Sequence, residues 1–131
     1  MAEIQCIVVT PESTALEASA EFVALPLFDG EIGIAPGHSP MIGRLGYGEM
    51  RLTVKGATER YYVDGGFVQV ADNVVSVLTG RAVPAKSVRV EAAQKQLDEA
   101  IKKPLLTPEQ IEVRDRLISQ ARAQLRVAGK A

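Results

Sequence analysis

Residues 49–63, Glu49-Met50-Arg51-Leu52-Thr53-Val54-Lys55-Gly56-Ala57-Thr58-Glu59-Arg60-Tyr61-Tyr62-Val63, decide how the first two thirds of this chain fold. Polar and apolar residues alternate from position 49 to 54, the period-two pattern of a strand with one buried face. Lys55-Gly56 interrupts it with a turn, and residues 60–63 return as the partner strand of a hairpin. The pattern recurs on both sides. Ile4–Val9 is a β-branched run, residues 21–25 alternate in part before Pro26, and residues 67–70 and 74–78 flank Asp72-Asn73, a second hairpin signal. Asp64-Gly65-Gly66 reads as a turn in which positive φ costs little. Six or more short strands at this spacing predict an antiparallel β-sandwich or flattened barrel.

After Pro84 the period changes. Val88, Ala92, Ala93, Leu97, Ala100 and Ile101 follow helical spacing, Lys102-Lys103 suits the negative end of a helix dipole, and Pro104 stops the run. Thr107-Pro108-Glu109-Gln110 is a start signal, with Thr at the N-cap, Pro at the first helical position and Gln completing a capping box. Ile111, Leu117, Ile118, Ala121, Leu125 and Ala128 then form one apolar stripe up to Gly129. The chain is therefore α+β: a sandwich over residues 1–85, then an antiparallel two-helix hairpin over residues 86–131. Glycine and charge divide at the same place. Nine of eleven glycines fall between positions 30 and 66, and none between Gly80 and Gly129. Residues 1–85 hold five Lys/Arg against ten Asp/Glu, and residues 86–131 hold ten against six, so the halves differ in sign, a hint of two surfaces with different partners. The hairpin seam is rich in alanine, and isolated helices of this length are marginal in water, so the hairpin calls for a docking surface.

Composition narrows the function. Apolar residues make up 47% of the 131, enough for a core, while the scarcity of aromatics and absence of Trp speak against a base-stacking platform. The single cysteine, Cys6, lies in an apolar strand and reads as a core thiol; with one His it cannot assemble a metal site of nitrogen and sulfur ligands. No secretory leader pattern or long apolar run is read in the sequence, so the expectation is a cytoplasmic chain. The stretch Gly30-Glu31-Ile32-Gly33-Ile34-Ala35-Pro36-Gly37-His38-Ser39-Pro40 demands an explanation. It fails as a phosphate loop, because three residues separate Gly33 from Gly37 where four are needed, His38 replaces Lys, and Pro36 lacks an N–H. His38 has no orienting partner or nucleophile defined by the sequence. What remains is shape: an ordered loop that exposes Glu31, Ile32 and Ile34 for recognition, or a structural connection in the sheet.

Three segments carry a resemblance: "GEIGIAPGHSPMIGRLGYGEMRL" (residues 30–52), "YYVDGGFVQVADNVVSVLTGRA" (61–82) and the closing "AQLRV" (123–127). Together they closely resemble the ε subunit of bacterial F-type ATP synthases, equivalent to the mitochondrial δ subunit, over essentially the whole chain. The resemblance implies a ten-stranded sandwich that binds the γ subunit and sits on the c-ring, coupling proton-driven rotation to the catalytic head without catalysing anything itself. It implies no cofactor, no nucleic acid, and a peripheral place on the cytoplasmic face of the cell membrane, reached only through the complex. Carried over by position, Gly30, Glu31 and Gly33 contact the c-ring, and Pro36, Gly37 and His38 shape the loop or face a partner. In the family the hairpin lies against the sandwich or extends along γ into the α/β head and blocks ATP hydrolysis; Arg122 and Arg126 then face the head, with Arg114 and Arg116 as weaker candidates. Some members bind ATP through an Asp and an Arg near the start of the first helix. Those positions here are Arg89 and Ala92, which argues against that mode. The alternative of a different class is a free-standing β-sandwich enzyme or ligand-binding domain with a helical lid.

Overall fold

The computed structural model describes residues 3–130. Eight strands come first: β1 (Ile4–Val9), β2 (Thr14–Ala20), β3 (Phe22–Leu27), β4 (Gly30–Ile34), β5 (Met41–Val54), β6 (Ala57–Ala71), β7 (Val74–Leu78) and β8 (Ala82–Pro84). A single 3-10 turn (Ala85–Ser87) leads to helix α1 (Val90–Ile101) and helix α2 (Pro108–Lys130). The strands form one hydrogen-bonded sheet in the order β2-β1-β7-β6-β5-β3-β4, with β8 also on β6.

That sheet becomes a sandwich because β5 and β6 are long. They pair with each other from Met41↔Val70 to Val54↔Ala57. The far half of β6 pairs with β7 and the near half with β8, so both long strands run through both layers. Counting these two strands once in each layer turns eight into the ten that the resemblance implies. The corner falls at Gly65-Gly66 on β6, where φ is +71° and +104°, and there the ladder to β5 skips Gly46 and Gly65. The reversal expected at Gly65 and Gly66 is thus a corner inside one continuous strand. The glycines serve the positive φ that the sequence suggests, but the chain does not turn back. The hairpins at Lys55-Gly56 and Asp72-Asn73 are as expected, all four residues having positive φ. One pairing departs from the antiparallel pattern: β1 lies parallel to β7, Cys6 opposite Val75.

Between the layers lies a core of alternate residues from every long strand. Ile4, Cys6 and Val8 meet Val23, Leu25, Met50, Leu52, Val68, Val70, Val75 and Val77, all almost fully buried. Each such side chain contributes about 1.5–3 kcal/mol through burial. None of this core comes from the helices, so the sandwich holds itself together.

The hairpin follows its capping signals. Gln110 N donates to Thr107 Oγ1 at 3.1 Å, and Thr107 N donates back to Gln110 Oε1 at 3.1 Å, closing the capping box. α1 starts at Val90, two residues later than the periodicity suggests, because Val88 is drawn onto the sandwich. α2 continues through Gly129, which is no stop signal here. Ile111, expected in the seam, is exposed, whereas Ile118 and Ala121 are buried.

Candidate interaction surfaces

The outer face of the β4-β3-β5-β6 layer is built from residues of one strand parity. Arg51 stands opposite Arg60 and Ala24, Glu49 lies two residues along β5 opposite Tyr62, and Glu31 stands opposite Pro26, so register brings the four charges Arg60, Arg51, Glu49 and Glu31 together on neighbouring rows. Arg51 donates to both oxygens of Glu31, at 2.6 and 3.1 Å, and to Glu49 at 3.0 Å. Arg60 grips Glu49 from the other side through Nε at 2.8 Å and through Nη2. Partial burial pushes the Glu49 carboxyl up, but hydrogen bonds from Arg60 and Arg51 outweigh it and hold the group below the ordinary range. Glu31, and then Glu49, hold the Arg51 guanidinium charged. The sequence does not show this ladder, because Glu31, Glu49 and Arg60 are well separated in the chain and only the register brings them together.

The segment 30–40 divides in two. Its first half is strand β4, an edge strand that pairs only with β3. Glu31 is exposed, as expected, but Ile34 is 1% exposed and belongs to the core, a correction to the reading of this stretch as one exposed loop. Strand alternation explains it: Glu31 and Gly33 point out, Ile34 points in. Gly33 has a packing role too, since a Cβ there would lie 2.5 Å from the ring of Phe22. The second half is a true loop. Gly37, with φ +84°, donates its N–H to Asn73 Oδ1 at 2.7 Å, which ties the loop to the β6–β7 turn. His38 Nδ1 hydrogen-bonds the Ser39 carbonyl at 2.7 Å, and Pro36 and His38 are half-buried.

α2 lies across the same outer face. Ala123 and Val127 pack on Tyr62 and Tyr47, with Ala85 and Val88 completing the cluster, and Tyr62 is fully buried beneath them. Gln120 Nε2 donates to Asp64 Oδ1 at 3.0 Å, and Tyr62 Oη donates to the same oxygen at 2.9 Å. Burial under the helix pushes the Tyr62 hydroxyl pKa well up; a hydrogen bond from Gln124 on α2 opposes this, and the Asp64 carboxylate adds to it. The spacing 120, 123, 124, 127 is a helical face, but two of its four members are glutamines, so its hydropathy does not mark it in the sequence. Arg126 reaches the edge of this interface, lining a cleft with Glu31, Tyr47 and Arg51. Arg122 and Arg126 are exposed; Arg114 is partly buried beside Asp115, at 3.6 Å, and Arg116 is exposed. Arg89 caps the start of α1 without a side-chain hydrogen bond, and Ala92 is exposed.

The opposite outer face, on β7-β6-β5, looks different. Phe67 stands across from Leu78 on one side and Arg44 on the other, with Ile42 next along β5. Ile42, Phe67 and Leu78 are 77%, 58% and 56% exposed, enough bare apolar surface in one place to mark a binding face. Arg44 sits 4.9 Å over the ring of Phe28 at its rim. Among the described residues no three His, Cys, Asp or Glu come together as a metal site, and no helix is long and apolar enough to cross a membrane.

A self-sufficient β-sandwich with one face covered by its own helix and the other bare defines a binding and assembly module. Residues 3–85 match the family described as the ATP synthase, Delta/Epsilon chain, beta-sandwich domain. The ATP synthase epsilon chain of Rhodopirellula baltica is 54% identical over 125 residues, covering 95% of this chain and 98% of that one. That of Desulfitobacterium hafniense is 41% identical over 120 residues, covering 92% and 90%. The chain belongs to the ATP synthase epsilon-chain family. Its fold recurs in a chain of the Euglena gracilis mitochondrial ATP synthase solved with its F1 and c-ring, with a TM-score of 0.85 at 22% identity, covering all of this chain and 83% of that one. A chain of the Tetrahymena thermophila central stalk and c-ring matches with a TM-score of 0.74 at 17% identity, covering 95% and 96%.

Proposed function

We propose that this chain is the central-stalk subunit of a proton-translocating F-type ATP synthase, non-catalytic itself, that couples the c-ring to the catalytic head and carries a detachable helical arm. The observation that carries the reading is the inequality of the two sandwich faces. One is closed by α2 and a satisfied charge ladder; the other offers Ile42, Phe67 and Leu78 to a partner. We assign that bare face to γ. Gly30, Glu31 and Gly33 are assigned to the c-ring, supported by the position of β4 at the sheet edge and the exposure of Glu31. The loop of Pro36, Gly37 and His38 acts through shape. The complex holds the chain at the cytoplasmic face of the membrane.

The arm follows from the packing. The sandwich core does not use the hairpin, and the hairpin tip keeps Ile101, Leu105 and Leu106 bare beside Lys102 and Lys103. Arg122 and Arg126 are exposed, Arg126 at the cleft beside the sandwich, and an acidic segment of the head can meet both once the arm leaves. The reading of a lidded ligand domain gains nothing from the cleft beside α2: at about 270 Å³ it is below the roughly 300–1,000 Å³ of ligand pockets. Arg51, Glu31 and Glu49 within it already bond one another. The test is ATP hydrolysis by the cognate head stripped of this subunit, titrated with the full chain or with a chain ending at Ala85. Suppression by the full chain alone supports the arm; equal effects of both remove it.

A further inference from the structure

Tyr62, Asp64 and Gln120 meet where α2 crosses the corner of β6. One oxygen, Asp64 Oδ1, accepts from Tyr62 Oη at 2.9 Å within the sandwich and from Gln120 Nε2 at 3.0 Å across the interface. The apolar contact around it is thin on the helix side, being chiefly Ala123 and Val127. Small side chains bury little area and fit a sheet face at several offsets, whereas a hydrogen bond to a charge selects one. Asp64 is presented by a rigid corner. Its N–H donates to Thr79 Oγ1 at 3.0 Å and to the Arg81 carbonyl at 3.2 Å, and Gly65 and Gly66 follow with positive φ. Gly66 has the Leu78 carbonyl oxygen 1.8 Å from where a Cβ would stand, so the strand is pressed against β7 there.

We propose that Asp64 is a docking latch, a single carboxylate that sets the register and dwell time of α2 on the sandwich by capturing Gln120. The latch stands on the docked geometry; that its release frees an inhibitory arm rests on the function proposed above. Undocking costs the sandwich little in polar terms. When α2 leaves, Gln120 and Gln124 both go, but the Tyr62 hydroxyl keeps Asp64 as its acceptor, so no buried donor of the sandwich is stranded. The contact is therefore specific yet reversible, which suits an element that must both settle and depart.

Amide hydrogen exchange on the full chain tests it. With Gln120→Ala, the amides of residues 118–128 exchange about tenfold to a hundredfold faster, the range expected for losing a hydrogen bond to a charged group, while strands β1, β5 and β7 are unchanged. Asp64→Ala has the same effect, and the double variant is no faster than Asp64→Ala. Should Asp64→Ala loosen the strands as well, Gln120→Glu replaces it, setting a second carboxylate against Asp64 and accelerating α2 more than Gln120→Ala. Exchange at the wild-type rate in Gln120→Ala, or single effects that multiply in the double variant, overturns the latch. Latch behaviour in a chain that does not inhibit hydrolysis overturns the arm alone.

Discussion

Gly66 shows what one residue can and cannot announce. The pair Gly65-Gly66 signals positive φ in the sequence, and positive φ is found, but a turn and a corner within a strand need it equally. Only the course of β5 opposite distinguishes them. A Cβ at Gly66 would meet the Leu78 carbonyl at 1.8 Å in a backbone conformation that side chains rarely adopt. Gly66→Ala is therefore expected to cost about 3–5 kcal/mol, read as a fall in the urea midpoint, since steric overlap and backbone strain add. Gly37, with nothing within 4 Å of its Cβ position, should cost less on the same change, through φ alone. Cys6 fits its reading as a core thiol: burial pushes it up to about 12. Alkylation by a maleimide should be negligible in the folded chain and complete in denaturant.

At the scale of elements, what was legible is what is local. Thr107 and Gln110 bond each other across a single turn, so their chemistry can be read without any tertiary context. Thr107→Ala should cost about 1 kcal/mol of hairpin stability, visible as faster exchange in the first turns of α2. β2 is faint in the sequence because Thr14–Ala20 alternates Leu16 and Ala18 with Glu17 and Ser19 only weakly, and pairing with β1, Leu16 to Val8 and Ala18 to Cys6, completes the strand. β4 looks like loop in the sequence because its glycines hide a strand whose side-chain packing is supplied by Phe22. The charge ladder is likewise a product of register. Glu49 has its carboxyl held below the ordinary value in the fold, so its contribution is present at neutral pH and is lost as pH falls through about 4 and below. Urea midpoints of wild type should drop between about pH 5 and 3 more steeply than those of Glu49→Gln.

For the whole molecule, the division into sandwich and hairpin was visible in glycine and charge, while the manner of their contact was not. Docking depends on Gln120, Ala123, Gln124 and Val127, a face with only one large apolar residue, so hydropathy points elsewhere along α2. The bare face of Ile42, Phe67 and Leu78 was equally hidden, because exposed and buried positions of a sandwich strand carry the same residue types until the layers are assembled. With Arg89 and Ala92 exposed at the head of α1, calorimetry on the full chain should detect no sub-millimolar ATP binding. The central claim is that this chain joins the stalk through its bare face. The most direct measurement is titration of the full chain, wild type or Phe67→Asp, into the cognate catalytic head with its γ subunit, stripped of this chain. The account predicts saturation at one copy per head for wild type and at least about a tenfold loss of affinity for Phe67→Asp, whose circular dichroism stays that of wild type. Failure of the wild type to bind, or unchanged binding by Phe67→Asp, would contradict it.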